Sequence, residues 1–307
     1  MFFRFLLKRL GQTLIVLLCV TVIAFALIHI APGSPARIVL GDSATDEMVA
    51  AMEEKMGLNK PLYAQYFDYL LGILKGDLGT STTYQQPAAK LIFSRFPNTL
   101  LLTIVTTIIC LLISIPLGII AGVNQGKPID FIAMVFAILG QSMSTVWLAV
   151  LNIYIFSVKL GWLPTIGMGG WEFIILPALT LGYPISAQVT RLGRSGMIDV
   201  LREDYITATL AKGISSRKVY TKYAFKNALI PIITIVGMQI GVFLGGAVVV
   251  ETVFSWSGIG QLTNQAVGNR DYALVQSLLL VTAVCFAVIN LLIDIINAKI
   301  DPRITLE

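Results

Sequence analysis

Glu203-Asp204-Tyr205-Ile206-Thr207-Ala208-Thr209-Leu210-Ala211-Lys212-Gly213 is a short polar segment between two long apolar stretches. Glu203 and Asp204 suit a helix start, where their charge complements the N-terminal dipole. Lys212 and Gly213 suit its end. Ile214-Ser215-Ser216-Arg217-Lys218-Val219 follows, and its serines can cap a second helix. That helix carries Arg217, Lys218, Lys222 and Lys226 and runs into Asn227-Ala228-Leu229-Ile230-Pro231. The pattern predicts a short helix, a glycine turn and a basic helix. Two readings stand side by side: a basic loop lying against lipid, or a docking helix for a soluble partner.

On either side of this segment, charge divides the chain. No Asp, Glu, Lys or Arg occurs between Arg9 and Arg37, or in Phe96–Gly126, Phe131–Val158, Phe173–Thr190, Asn227–Val250 and Tyr272–Ile293. A helix needs about 18 or more apolar residues to cross roughly 30 Å of hydrocarbon. The six windows meet that need, and their apolar runs are continuous rather than alternating, so they predict helices and not barrel strands. A further charge-free stretch, Thr252–Asn269, is rich in Ser, Gly, Asn and Gln and is set aside. The fourth window contains Pro177, Gly182 and Pro184, which predict a kink or an interruption; a packing kink and a broken helix lining a pathway both remain open.

Composition agrees. The chain has 307 residues, 56% hydrophobic and only 13% charged, against about a quarter charged in soluble proteins. The net charge of +5 does not point to nucleic acid, because the basic residues cluster beside apolar spans. Cys19, Cys110 and Cys285 lie in separate apolar runs, and there is one histidine, His29. Disulfides, metal clusters and a Ser/His/Asp triad are therefore not expected. No GxxxxGK[ST] sequence occurs, so the chain has no P-loop of its own. The basic start resembles a signal peptide, but the apolar run of Leu10–Ala31 exceeds the about 7–15 residues of a signal core, which predicts an uncleaved first helix.

Orientation follows from the 22 Lys and Arg. Placing both termini inside puts the basic 191–226 connection inside as well, as the positive-inside rule prefers. Residues 32–95 then lie outside, and their mix of Gly, Pro and amphipathic pieces suggests a small folded cap. The expected organisation is a first span (1–31), an extracytoplasmic region (32–95) and a transmembrane core (96–307). Gly237, Gly241 and Gly245, like Gly118 and Gly122, predict close helix packing, within the chain or against another subunit. Gln141, Ser142, Ser144, Thr145, Gln239 and Asn290 are polar residues inside spans, each suited to an interhelical hydrogen bond or to the lining of a cavity. Gln141, Ser144 and Gln239 are the candidate translocation-path residues. No acidic relay is placed deep in a span, which argues against a carrier working alone on an ion gradient.

The 203–213 loop resembles the cytoplasmic coupling loop of ABC importer permeases. Glu203-Asp204-Tyr205-Ile206, Ala211-Lys212-Gly213 and Asn227-Ala228-Leu229-Ile230-Pro231 are similar to the dipeptide, oligopeptide and nickel branch, which includes glutathione importers. The same branch is matched by Ala31-Pro32-Gly33-Ser34-Pro35-Ala36, Gly57-Leu58-Asn59-Lys60-Pro61-Leu62, Gly76-Asp77-Leu78-Gly79, Gly161-Trp162-Leu163-Pro164, Glu251-Thr252-Val253-Phe254-Ser255-Trp256-Ser257-Gly258-Ile259-Gly260, Arg270-Asp271-Tyr272 and Asp301-Pro302-Arg303-Ile304. In two respects the loop departs from the broad family: Thr207, Ala208 and Thr209 stand where its motif has Glu-Ala-Ala, and Leu210 where relatives often carry a basic residue.

The resemblance implies an all-α, six-span permease of the type I ABC importer class, in the cytoplasmic (inner) membrane of a bacterium or archaeon. It implies four kinds of partner: a second homologous permease, two ATPase subunits that bind ATP and Mg, an extracytoplasmic solute-binding protein, and membrane lipid. The chain itself is expected to hold no cofactor and to catalyse nothing. Glu203, Asp204, Tyr205, Ala208, Ala211, Lys212 and Gly213 become the expected ATPase-coupling residues. The implied solute is a short peptide or a peptide-like molecule such as glutathione, with nickel or another chelated metal as the alternative.

Overall fold

The computed structural model describes residues 2–30, 35–40, 44–55 and 57–300. Ala31-Pro32-Gly33-Ser34, Asp42 and Asp301-Pro302-Arg303-Ile304 lie outside the described residues. Among those described the chain is helical, and the only strand-like pairing is the isolated one of Thr80 with Pro87. In chain order the helices are α1 (Phe2–Ile30), α2 (Pro35–Leu40), α3 (Asp46–Lys55), α4 (Leu62–Leu74), α5 (Ala88–Val123), α6 (Pro128–Ser142) and α7 (Thr145–Asn152, continued by a π-helical stretch Ile153–Lys159). Then follow α8 (Glu172–Leu201), α9 (Asp204–Ala211), α10 (Ser216–Lys218, with a π-helical stretch Val219–Ala224), α11 (Phe225–Leu244), α12 (Val248–Val253), α13 (Ile259–Gly268) and α14 (Tyr272–Ile300).

α1, α5, α8 and α14 are each long and apolar enough to span a bilayer, and two bent pairs bring the possible spans to six. One pair is α6 with α7 and its extension, bent by 109°. The other runs Ser216–Leu229 and Pro231–Leu244, bent by 55° at the proline that removes a backbone donor. The third charge-free window is therefore broken at Met143-Ser144, where a single helix was expected. The fourth window, where an interruption was an open reading, forms the uninterrupted helix α8 despite Pro177 and Pro184. Its polar side chains bond carbonyls of their own helix, with Thr180 Oγ1 donating to Leu176 O at 2.8 Å and Ser186 Oγ to Gly182 O at 2.7 Å.

α8 is the hub. α5, α6, α7 and α11 all pack on it. The α5–α8 seam brings small residues together, with Gly182 against Thr106, Gly118 against Thr190 and Gly193, and Cys110 beside Ser186. A Cβ on Gly122 would come within 2.5 Å of Met197 Cβ, and one on Gly237 within 2.4 Å of Ile293 on α14. The glycine spacings thus serve packing inside this chain. α1 lies at the periphery against α14, tied by Arg9 Nε to Asp294 Oδ2 at 3.2 Å. An open apolar groove of about 380 Å³ runs between α1, α11 and α14, lined by Val16, Val20, Gly241, Gly245, Leu279 and Phe286 among others.

The segment before α5 is a set of short helices with little core of its own. α4 buries none of its residues but docks on α1, with Tyr66 Oη 2.9 Å from Thr21 Oγ1 and its ring edge-on to Phe25. The turn that leads into α5 is clasped to the start of α14. Ser81 Oγ donates to Asp271 Oδ2 at 2.5 Å, Thr83 N donates to the same oxygen at 3.1 Å, and Ser277 Oγ donates to Leu78 O.

Candidate functional site

α9 stands at one end of the bundle. Glu203 is its extended N-cap residue, Asp204 lies in its first turn, and Gly213 follows Lys212 with a φ of +78°. That left-handed turn favours glycine and redirects the chain into α10. Ser215 is the next N-cap, but its side chain makes no capping bond. Glu203, Asp204, Tyr205, Ala208, Ala211, Lys212 and Gly213 are all exposed. The structure brings these sequence-predicted residues together on one small projecting helix and turn.

Ile206 was not foreseen, and it holds α9 in place. Only 2% exposed, it is buried with Met197, Val219, Ala224 and Ala228, at the end of α8 and along the start of the α10–α11 helix. Burying an isoleucine contributes about 1.5–3 kcal/mol. A polar tie adds to it, as Asn227 Nδ2 donates to Tyr205 Oη at 2.6 Å. One buried residue and one hydrogen bond thus link an otherwise exposed helix to two spans.

Near the same end, Asp130 at the start of α6 is almost fully buried and receives Arg194 of α8 in a bidentate pair, Nε–Oδ1 2.5 Å and Nη2–Oδ2 2.8 Å. Gly126 N donates to Asp130 Oδ2 at 2.9 Å. The planar guanidinium fits both carboxylate oxygens at once, so α6 is fixed in register on α8. From sequence, Arg194 had counted only toward the basic inner loop.

At the opposite end of α8 lies a buried carboxylate knot. Glu251 on α12 has no exposure. Thr99 Oγ1 donates to its Oε1 at 3.0 Å, and Gln261 N donates to Oε2 at 3.0 Å. Ile259 N donates to Thr99 Oγ1 at 2.8 Å. Glu251 and Thr99 together satisfy the first amides of α13, groups that a helix start otherwise leaves without partners. Trp256 Nε1 donates to Asn98 O at 3.0 Å and Asn98 Nδ2 to Ser257 O at 2.7 Å, closing the knot over α5. A Cβ on Gly258 would fall 2.4 Å from both Glu251 Oε2 and Thr99 Oγ1, so glycine is required there by close approach. Burial pushes the Glu251 carboxyl above its ordinary value, against hydrogen bonds that pull it down. Asp271 goes the other way: burial raises it, but hydrogen bonds from Ser81 and the backbone of Thr83, Leu274 and Thr82 outweigh burial and hold it low.

The three candidate path residues do not converge. Gln141 and Ser144 flank the α6–α7 break and are exposed, and neither side chain hydrogen-bonds within the chain among the described residues. Gln239 is half-buried on α11, whose chief neighbours are α14, α8 and α5. The interhelical bonds that do form use other residues, Asn152 to Thr180 at 3.0 Å and Asn297 to Thr234 at 2.9 Å. Among the described residues no cluster of His, Cys, Asp or Glu could hold a metal ion.

A strand-poor, all-α bundle of four to six possible spans, with the small helix α9 exposed at one end, has the fold of a type I ABC importer permease. The chain belongs to the family of binding-protein-dependent transport system inner membrane components, whose model matches residues 114–306. The N-terminal component of the same systems matches residues 2–103. The chain is 41% identical over 301 residues to the glutathione transport system permease protein GsiC of Salmonella typhi, covering 98% of each chain. It is 39% identical over the same length to GsiC of Escherichia coli strain K12, again covering 98% of each. Its fold is similar to that of a chain in the inward-facing MetNI methionine ABC transporter, with a TM-score of 0.57 and 19% identity over 69% of this chain and 96% of that one. The protein is therefore a multi-pass inner-membrane permease subunit.

Proposed function

We propose that this chain forms half of the translocation path for short peptides or a peptide-like solute such as glutathione. The near full-length identity to glutathione permeases carries this reading. In it, a second homologous permease completes the path, two ATPase subunits bind ATP and Mg, and an extracytoplasmic binding protein delivers the solute. The chain itself holds no cofactor, and hydrolysis is the work of the ATPase subunits. Both termini and α9 lie on the cytoplasmic side, and residues 32–95 form an outer region between the first span (1–31) and the core (96–307).

Coupling runs through α9. Glu203, Asp204, Tyr205, Ala208, Ala211, Lys212 and Gly213 meet an ATPase subunit, and Ile206 passes its displacement to α8 and α11. Exposure of these seven residues around one buried anchor supports that assignment. The test is reconstitution of the complex purified through this chain. ATP-driven uptake of labelled glutathione into proteoliposomes is the expected result. Recovery of the chain without ATPase subunits even after crosslinking, or uptake driven by a proton gradient instead of ATP, would overturn the reading.

A further inference from the structure

We infer that the α6–α7 elbow, Gln141 to Thr145, is a solute-facing wall of the path that hydrogen-bonds the amide groups of the cargo. The inference rests on the import reading above and adds a location and a chemistry to it.

The depth of the elbow can be read along α8. α6 starts beside Arg194 and climbs to Gly140, where a Cβ would lie 2.7 Å from Ala187 Cβ and 3.2 Å from the Tyr183 ring. The Phe136 and Tyr183 rings meet edge to face at 4.8 Å, and Tyr183 Oη donates to Phe136 O at 3.1 Å. Beyond the break, Asn152 returns to α8 at Thr180. Tyr183 lies ten residues into the charge-free stretch that begins at Phe173, or about 15 Å along a helix. That is near the middle of about 30 Å of hydrocarbon. The chain therefore breaks its backbone and turns by 109° close to mid-depth.

Non-helical backbone at that depth is tolerated only where it meets protein or lines a water-filled cavity. One side of the elbow is locked onto α8. The other side presents Gln141, Ser142 and Ser144, all exposed. Ser142 Oγ donates to Ile138 O at 2.8 Å, whereas among the described residues the side chains of Gln141 and Ser144 make no hydrogen bond. A carboxamide and a hydroxyl offer donors and acceptors without charge. They match peptide bonds. They do not match a bare nickel ion, which favours imidazole, and the elbow has no histidine or cysteine. A neutral polar wall of this kind suits a peptide-like cargo better than a bare nickel ion.

The test uses the whole complex with its ATPases and binding protein, with Cys19, Cys110 and Cys285 replaced and glutathione as the solute. Gln141→Cys and Ser144→Cys are treated with a membrane-impermeant, positively charged thiosulfonate. Labelling at both positions, slowed by trapping the ATPases with vanadate and followed by at least about a tenfold loss of uptake, is expected. Gln141→Ala should slow uptake by about fivefold at saturating binding protein, the scale of one or two lost hydrogen bonds. Positions inert to the aqueous reagent but reactive toward a lipid-soluble maleimide would place the elbow against lipid and overturn the inference. Crosslinking of either cysteine to the second permease, with no aqueous labelling in any nucleotide state, would make it a subunit contact and also overturn it. Both failures leave ATP-driven glutathione uptake intact, so they are separable from failure of the import reading, in which the unmodified complex takes up no glutathione.

Discussion

The two ends of α8 are built on opposite plans. At one end the Glu251 knot is closed: its carboxylate oxygens, the Thr99 hydroxyl, the first amides of α13 and the Trp256 indole all have partners inside the chain. At the other end α9 is open, with Ile206 buried, Tyr205 tied to Asn227, and most of the remaining residues exposed. A closed polar cluster rigidifies and gains nothing from a second protein, because every group it could offer is already used. An exposed helix on a single anchor has surface left to give and can move as a unit. In this comparison, the difference separates a closed structural cap from the open surface on which the proposed coupling relies.

The comparison can be broken by stability measurements on the detergent-solubilised chain. Glu251→Ala should cost most, about 3–5 kcal/mol, because it leaves a void and strips partners from Thr99 and from the start of α13. A loss below about 1 kcal/mol would mean that the knot is not structural. Arg194→Ala comes next, at about 2–3 kcal/mol, since it leaves Asp130 buried without its cation; Arg194 itself is partly exposed, which reduces the figure. Ile206→Ala should cost about 2 kcal/mol by removing the anchor of α9. Protease cleavage near Gly213 should accelerate in that variant while cleavage near Gly258 does not, and equal acceleration at both would erase the contrast. Ala208→Arg should cost under about 0.5 kcal/mol, as exposed substitutions do. Its effect should appear only in the full complex, as ATP hydrolysis that continues without uptake. Normal uptake in this variant would remove α9 from the coupling route.

The spans were legible in the sequence because charge is costly in lipid, and the charge-free windows coincide with α1, α5, α8 and α14 and with the two bent pairs. Legibility failed where backbone and side chain compete. Pro177 and Pro184 predict a breaker, yet α8 stays helical because α5, α6 and α11 pack on it from several sides. The true break, at Met143-Ser144, contains neither proline nor glycine. Its signal was the run of polar residues from Gln141 to Thr145 inside an apolar window, which fits a hydrogen-bonded packing site equally well. Glu251, Thr99, Asp130 and Arg194 are far apart in the chain, and only the fold brings them together. Ile206 had a faint signal, as an apolar residue early in a short polar helix.

The Arg9–Asp294 pair joins the first long helix to the last. A ribosome delivers these helices at opposite ends of synthesis, so α1 must wait in the bilayer, its guanidinium without this carboxylate and the groove beside it without the wall that α14 provides. Only a chain translated through α14 can add the contact with Asp294. The pair therefore forms late, and until α14 arrives α1 has the contact with α4 but not this one.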